Sequence, residues 1–212
     1  MADLQTVVDR LCQAVTKRDD GHSRLMVAIA GPPGAGKSTV ADALALALNE
    51  RMVDRPAEVV PMDGFHFDNA ILDSRAMRDR KGAPETFDAD GFVALLRRLR
   101  TEKGDIATPV FDRSIDLSRG SARIIRANQR LLIIEGNYLL LDRPVWCELA
   151  ALFDLTVLLK PLIETIEQRL IQRWLDHGLE PVAAARRARG NDLANAHTVL
   201  SESRPADIVL LD

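Results

Sequence analysis

The stretch RLMVAIAGPPGAGKSTV, residues 24–40, decides the fold of this chain. Residues 24–30 form a short, continuous apolar run, which predicts a buried β-strand. Residues 31–38 fit the glycine-rich pattern GxxxxGK(S/T), and the segment after them has apolar side chains at helical spacing. These apolar positions are Val40, Leu44, Leu48 and Met52. The stretch therefore predicts a strand, a glycine-rich turn and a helix in immediate succession.

The glycine-rich turn has the residue types of a Walker A phosphate-binding loop. Backbone N–H groups in such a turn can approach phosphate oxygens closely, and the N-terminus of the following helix adds a favourable potential. We expect Lys37 to reach the β- and γ-phosphates of ATP and Ser38 to ligate Mg²⁺. Thr39 either contacts a phosphate or is an ordinary first-turn helix residue. The predicted nucleotide-binding residues of this loop are Gly31, Pro32, Pro33, Gly34, Ala35, Gly36, Lys37, Ser38 and Thr39.

The rest of the chain alternates apolar strand patterns with helical patterns. Helices are predicted over residues 3–18, after Asp88, after Pro161 and over 181–202. Further strands are predicted over 58–62, 131–135, 152–159 and 206–212, and residues 64–87 are predicted to be a functional loop or a small helical excursion. This alternation predicts one α/β domain over residues 1–212 with the three-layer P-loop NTPase fold: a five-stranded, mostly parallel sheet with helices on both faces.

Glu135 ends the apolar run LLIIE, residues 131–135. In open α/β sheets, ligands bind beyond the carboxyl ends of the strands. Glu135 is therefore predicted to hold Mg²⁺, or to orient water bound to it, together with Ser38. The alternative is a solvent-exposed glutamate at a strand end, and the apolar run before Glu135 and Gly136 after it favour the metal role.

Five segments of the chain follow one another in an order that resembles a family of kinases. They are GPPGAGKST (31–39), MDGFHFDN (62–69), RKGAPETFD (80–88), TPVFDRSID (108–116) and LLIIEGNYLL (131–140). In this order they resemble the family of phosphoribulokinase, uridine kinase and bacterial pantothenate kinase. RKGAPETFDADGF and RARGNDLANA are similar to a bacterial subgroup designated fructose transport system kinase or pantothenate-kinase-like protein.

The resemblance implies a role for Asp63, which matches the proposed catalytic base of the family. A carboxylate there would position the acceptor hydroxyl and take its proton. Asp63-Gly64 is also a strong turn signal, which is the alternative interpretation. The loops that the family uses around its acceptor supply the other predicted substrate residues. These are His66, Lys81, Glu85, Asp112, Arg113, Asn137 and Tyr138.

Several of these residues have a structural alternative. His66 can be a hydrogen-bonded structural histidine, and Lys81 and Glu85 can form a surface ion pair. Tyr138 and Phe87 can belong to the core. Asp88 is predicted to cap the helix that follows it.

Arg169 and Arg173 lie four residues apart and so share one face of the predicted helix. The family has a lid arginine pair of this kind, so the resemblance implies a lid over about 169–192. Its arginines would balance charge on the transferred phosphoryl group. A solvated helix face is the alternative. Asn191 and Asn195 are predicted to read the edge of the adenine.

The composition excludes several classes of partner. The formal net charge is -3, so the chain lacks the basic balance of a general nucleic-acid binder. Its apolar runs are shorter than a membrane helix needs, and the N-terminus lacks the pattern of a secretory signal. Two cysteines far apart do not make a disulfide framework. We therefore expect a cytoplasmic protein with a small-molecule substrate, and a homodimer is compatible with the sequence.

These predictions indicate a kinase that transfers phosphate from ATP to a hydroxyl of a small metabolite. The subgroup makes a sugar such as fructose the first choice of acceptor, with a nucleoside or a pantothenate-like compound as alternatives. A nucleotide-binding switch protein without phosphotransfer is the alternative from another class. A GTPase switch would need the guanine-reading motif NKxD, which the sequence lacks.

Overall fold

A computed structural model describes residues 3–52, 54 and 56–211 of the chain. The sequence-predicted strands assemble into one parallel sheet whose strand order is β2-β5-β1-β6-β7. Its strands are β1 (Leu25–Ala30), β2 (Ala57–Pro61), β5 (Leu131–Gly136), β6 (Leu155–Lys160) and β7 (Ile208–Leu211). Two further strands, β3 (Ile106–Asp112) and β4 (Leu117–Ile125), form a separate antiparallel hairpin.

Helices connect the strands and cover the sheet. They are α1 (Leu4–Arg18), α2 (Lys37–Arg51), α3 (Asn69–Ser74), α4 (Ala89–Thr101), α5 (Ile163–Asp176), α6 (Pro181–Arg187) and α7 (Leu193–Glu202). A single π-helical turn, Ala188–Asp192, joins α6 to α7. Short 3-10 turns lie at Met62–Phe65, Arg78–Arg80, Pro84–Thr86 and Trp146–Leu152.

Alternate residues of the central strands supply two separate cores, because successive side chains of a strand point to opposite faces. Val27 and Ile133 pack with α1 and α2 on one face. Met26 and Leu132 pack with α4 on the other face. A smaller apolar cluster holds α5 against the π-helical turn and α7. The sheet is thus buried on both sides, and the predicted three-layer fold is confirmed.

The element boundaries agree closely with the sequence predictions. The predicted helix over 181–202 is interrupted by the π-helical turn, and residues 64–87 are indeed a series of short helical segments. The sequence did not predict β4, and Asp212 of the predicted last strand lies outside the described residues. Within the described part of the chain, no helix has both the length and the apolar character required to cross a bilayer.

Candidate active site

The phosphate-binding loop lies between β1 and α2. Gly34 and Gly36 have φ angles of 77° and 88°, in the left-handed region that favours glycine. A Cβ on Gly31 would lie 2.9 Å from the carbonyl oxygen of Leu159, so this position has no room for a side chain. Because α2 begins at Lys37, the unpaired N–H groups of its first turn adjoin the loop.

Lys37 is buried beside this loop. Its Nζ donates to the carbonyl oxygen of Pro32 at 3.0 Å. Burial lowers the pKa of Lys37, while the nearby carboxylates of Glu135 and Asp63 act in the opposite direction. A buried ammonium with so few hydrogen-bond partners gains from a further anion, such as a phosphate group.

Glu135 is the penultimate residue of β5, where it pairs in register with Ile29 of β1, and is buried. Burial raises the pKa of Glu135, and the charge of Lys37 and a hydrogen bond with Ser38 oppose that shift. Carboxylate and hydroxyl oxygens suit Mg²⁺, which keeps several waters and phosphate oxygens as its other ligands. The described residues contain no group of three or more His, Cys, Asp or Glu side chains that could hold a metal by themselves. The pair therefore fits a Mg²⁺ that arrives with a nucleotide.

Asp63 lies in the 3-10 turn directly after β2, at the same edge of the sheet. Its carboxylate accepts a hydrogen bond from Arg113 at 2.8 Å. The ring of His66 packs in a tilted arrangement against Phe87 and Phe111, with centroid distances of 4.0 and 4.7 Å. His66 Nδ1 donates to the carbonyl oxygen of Asp63 at 2.8 Å. Asp63 is therefore oriented both through its side chain and through its backbone.

Lys81 and Gly82 form a turn at the other end of the cavity. Lys81 Nζ donates to Asn69 at 2.8 Å and pairs with the carboxylate of Asp116 at 2.7 Å. The amide of Asn191 donates to the carbonyl oxygen of Lys81 at 2.8 Å. The hydroxyl of Tyr138 donates to the carbonyl oxygen of Gly82 at 2.6 Å. The turn is thus held in place from two sides.

The segment predicted to be a lid contributes a cluster around Asp192. Trp174 Nε1 and Arg173 donate to the Asp192 carboxylate at 2.6 and 3.1 Å. The guanidinium groups of Arg173 and Arg187 each lie 5.3 Å from the centre of the Trp174 ring. Asp192 is buried at the end of the π-helical turn, and π-helical turns often occur at functional sites.

These groups share one cavity of about 540 Å³ at the carboxyl edge of the sheet. Many of the residues predicted from the sequence line it: Pro33, Gly34, Gly36, Lys37, Ser38, Thr39, Asp63, His66, Lys81, Arg113, Glu135, Asn137, Arg173 and Asn195. It is also lined by residues that were not among the predicted site residues, although most lie in the family-like segments or the predicted lid: Arg78, Gly82, Phe111, Asp116, Trp174, His177, Arg187 and Asp192. These residues belong to no nucleotide-binding motif. Trp174 and His177 could have been predicted from their position, because they lie one and four residues after Arg173 at the end of α5.

Other predicted residues lie outside the cavity. Glu85 pairs with Arg80, so the predicted ion pair between Glu85 and Lys81 is wrong. Asp112 accepts hydrogen bonds from Ser114 at the tip of the β3–β4 hairpin. Tyr138 is fully buried and packs with Phe87 and Trp146, as the core alternative predicted. Asp88 caps α4 as predicted, since its carboxylate accepts from the N–H of Gly91.

A second, mostly apolar cleft of about 620 Å³ lies on the other side of the phosphate-binding loop. Arg169 lines this cleft and donates to the carbonyl oxygen of Gly34 at 3.3 Å, whereas Arg173 faces the first cavity. The two arginines therefore flank the loop from two cavities. The apolar side chains of the cleft are Leu4, Val7, Val40, Leu159, Val209, Leu210 and Leu211.

A parallel sheet, a Walker A loop with a buried lysine and an acidic residue beside it near a strand end define a P-loop nucleotide-binding fold. A sequence profile described as the phosphoribulokinase / uridine kinase family matches residues 26–183, and the chain belongs to this family.

Similar proteins agree with this membership. The chain is 36% identical to "Putative uridine kinase C227.14" of Schizosaccharomyces pombe over 89% of its own length and 83% of that protein. It is 30% identical to a pantothenate kinase of Listeria monocytogenes over 74% of its own length and 52% of that protein. It superposes with a TM-score of 0.91 on the crystal structure of a "putative fructose transport system kinase" from Silicibacter sp. TM1040, at 46% identity over 96% of this chain and 98% of the other.

Proposed function

We propose that the protein transfers the γ-phosphoryl group of Mg-ATP to a hydroxyl group of a small metabolite, and that a sugar such as fructose is the acceptor. The observation that carries this proposal is the placement of Asp63 in the same cavity as Lys37 and Glu135. A phosphate site alone would suit a protein that only binds a nucleotide. This cavity contains a phosphate site and also the Asp63 carboxylate, which phosphotransfer to a hydroxyl requires.

In this proposal the phosphate-binding loop and Lys37 hold the β- and γ-phosphates. Ser38 and Glu135 hold the Mg²⁺, which offsets charge on the phosphates. The apolar cleft beside the loop accommodates the adenine, with Arg169 at its rim. This revises the prediction from the sequence that Asn191 and Asn195 read the adenine, because both amides lie beside Gly82.

The remaining residues act on the acceptor and on the transferred group. Asp63 orients the acceptor hydroxyl and takes its proton, and Arg113 keeps its carboxylate in position. Arg173 balances charge that develops on the phosphoryl group. Asp192 in turn holds Arg173, which supports a lid over residues 169–192.

The choice of a sugar is supported by two observations. The first is the 46% identity of this chain to the protein described as a "putative fructose transport system kinase". The second is the presence of neutral polar groups in the cavity, where His66, Asn137 and Asn195 can each pair with a hydroxyl. A nucleoside is the second candidate, favoured by the relative named for uridine kinase.

An assay of ADP formation tests the proposal. Purified protein with Mg-ATP is mixed in separate reactions with D-fructose, uridine and pantothenate. We expect ADP to form only when the acceptor is present, and we expect Lys37→Ala to abolish it because the phosphate site loses its cation. Lys103→Ala removes an exposed lysine far from the cavity and is the matched control. Slow ADP formation that no acceptor accelerates would favour the nucleotide-binding switch.

A further inference from the structure

Asn195 is a buried amide that has no hydrogen-bond partner in the described part of the protein. It lies on α7, its exposed fraction is 6%, and it lines the cavity that contains Asp63. Its amide atoms are open to the cavity, since Ser203 Oγ is the only fully covered, unpartnered side-chain polar atom among the described residues. Buried amides are nearly always hydrogen-bonded, so an unpaired one at a cavity wall indicates a ligand.

The neighbouring amide shows that Asn195 is not required to hold the Lys81–Gly82 turn. Asn191 donates to the carbonyl oxygen of Lys81 at 2.8 Å. The N–H of Gly82 donates to Thr86 Oγ1 at 2.9 Å, and its carbonyl accepts from Tyr138 at 2.6 Å. The polar groups of the turn are therefore satisfied without Asn195, whose amide nitrogen lies 3.6 Å from the place of a Cβ on Gly82.

The charges around this end of the cavity indicate what kind of group Asn195 meets. Two of the cations that line the cavity are neutralised, since Lys81 is paired with Asp116 at 2.7 Å and Arg113 with Asp63 at 2.8 Å, whereas Arg187 packs on the Trp174 ring. An anionic acceptor would find these two cations already neutralised. An amide presents one acceptor and one donor group side by side, which matches a hydroxyl that both donates and accepts.

We propose that Asn195 determines acceptor specificity by hydrogen bonding to a hydroxyl group of a neutral, polyhydroxylated acceptor. This inference rests on the proposed kinase function and adds the charge of the substrate and the residue that recognises it. A site built to bond a hydroxyl rejects an analogue without it, because the buried amide would again be left unpaired.

Steady-state kinetics of Asn195→Ala test the inference. With saturating Mg-ATP, we expect kcat/KM for D-fructose, or for uridine if the wild type prefers it, to fall about 10- to 100-fold. The Kd for ATP, measured by calorimetry, should stay within about two-fold, since other residues of the cavity and the apolar cleft hold the nucleotide in the proposed function. Asn128→Ala, at an exposed loop position, is the matched control and should behave as wild type.

Asn195→Asp covers the case in which the alanine variant does not fold. The carboxylate has nearly the same shape but only accepts hydrogen bonds, so kcat/KM for the neutral acceptor should again fall. Monodeoxy analogues of the preferred acceptor locate the contact. For the wild type, kcat/KM should be lower for one of these analogues than for the parent acceptor, by the same factor that Asn195→Ala causes with the parent acceptor. For Asn195→Ala, kcat/KM should be the same with that analogue as with the parent acceptor.

Three results would overturn the inference and leave the kinase function standing. They are an unchanged kcat/KM in both variants, a weakened Kd for ATP with an unchanged KM for the acceptor, and a wild type that uses anionic pantothenate and neither neutral compound. A wild type that binds ATP and phosphorylates none of the three compounds would instead refute the proposed function itself.

Discussion

Asp63 follows β2 at the same edge of the sheet at which the phosphate-binding loop follows β1. Arg113 donates a hydrogen bond to its carboxylate at 2.8 Å. At the scale of single residues, the proposed mechanism depends most on this group. An asparagine would keep the shape of the side chain and one oxygen for Arg113, but it could not take the proton of an attacking hydroxyl.

We therefore predict that Asp63→Asn lowers kcat by about 10²-fold or more and leaves the Kd for ATP nearly unchanged. Steady-state assays and calorimetry measure the two quantities. Asp90→Asn, at an exposed position in the first turn of α4, is the control and should keep full turnover. If Asp63→Asn keeps the kcat of the wild type, Asp63 does not act as the catalytic base.

His66 gives the stability of the protein a dependence on pH. Burial lowers the pKa of His66 from its ordinary value of 6.5. Below pH 6.5 the unfolded chain therefore binds more protons at this site than the folded protein does. The free energy of unfolding should fall as the pH is lowered from 7 towards the folded-state pKa, by at most about 1.4 kcal/mol per pH unit from this one group.

Urea unfolding of His66→Asn between pH 7.5 and 5 measures this effect. Asparagine keeps a side-chain N–H for the carbonyl of Asp63 but does not titrate, so the pH slope of the free energy should become shallower. His22→Asn, at an exposed position, is the matched control. If the free energy of unfolding has the same pH slope in His66→Asn and in wild type, His66 is not the source of the pH dependence.

Residues of the site could be predicted where they belong to a local pattern. Lys37 and Ser38 follow from one continuous motif, and Glu135 follows from its place at the end of an apolar strand. Asp116 lies in the family-like segment 108–116 and Arg187 in the predicted lid, but neither could be assigned to the cavity from the sequence, because each reaches it through long-range packing. For Tyr138 the core was one of two predicted alternatives, because a tyrosine two residues after Gly136 suits a core as well as a pocket.

At the scale of elements, α5 carries both arginines of the predicted lid, and the π-helical turn carries Asp192. Asp192 accepts from both Arg173 and Trp174, so one buried carboxylate fixes an arginine that lines the same cavity as the phosphate-binding loop. The wider turn of a π-helix changes which side chains face inward, and here it gives Asp192 a buried position. Asp192 is thus a positioning residue for Arg173.

We predict that Asp192→Asn weakens this arrangement and lowers kcat by about ten-fold, because a neutral amide holds a guanidinium less firmly than a carboxylate does. Because the Trp174 indole loses its charged neighbour in the same variant, its fluorescence emission maximum should shift. This shift reports the local change independently of activity. Asp176→Asn, at the exposed end of α5, is the matched control. A kcat and an emission spectrum identical to wild type would show that Arg173 does not depend on Asp192.

The elements that the sequence did not predict have physical reasons. β4 reads LSRGSARII, in which most side chains are exposed, so it lacks the apolar alternation by which strands are recognised. The π-helical turn lies inside a continuous helical pattern, and its insertion depends on the packing of Ala188 against α5. Strands buried on both faces, by contrast, were predictable because they are continuous apolar runs between turn residues.

At the scale of the whole molecule, stability rests on the two cores on either side of the sheet. Ile133 lies in the second strand of the sheet order, between Val27 of β1 and Val59 of β2, and is fully buried. We predict that Ile133→Ala lowers the free energy of unfolding by about 2–5 kcal/mol, through lost burial and the cavity that remains.

Chemical denaturation of both variants measures this difference. Ile124→Ala is the matched control, because Ile124 lies on the hairpin and is 49% exposed, and it should cost less than about 1 kcal/mol. Equal losses in the two variants would mean that the hairpin contributes as much to the cooperative unit as the central sheet does.

The hydrogen bond from Asn191 to the carbonyl oxygen of Lys81 joins the π-helical turn, which lies between β6 and β7, to a turn 110 positions earlier in the chain. If the proposed lid closes over a bound nucleotide, this bond must either carry the turn along or break. The affinities for the two substrates are then interdependent, and thermodynamics requires that each changes the dissociation constant of the other by the same factor. That factor, obtained by titrating each compound with and without the other, measures how far the ternary complex is assembled cooperatively.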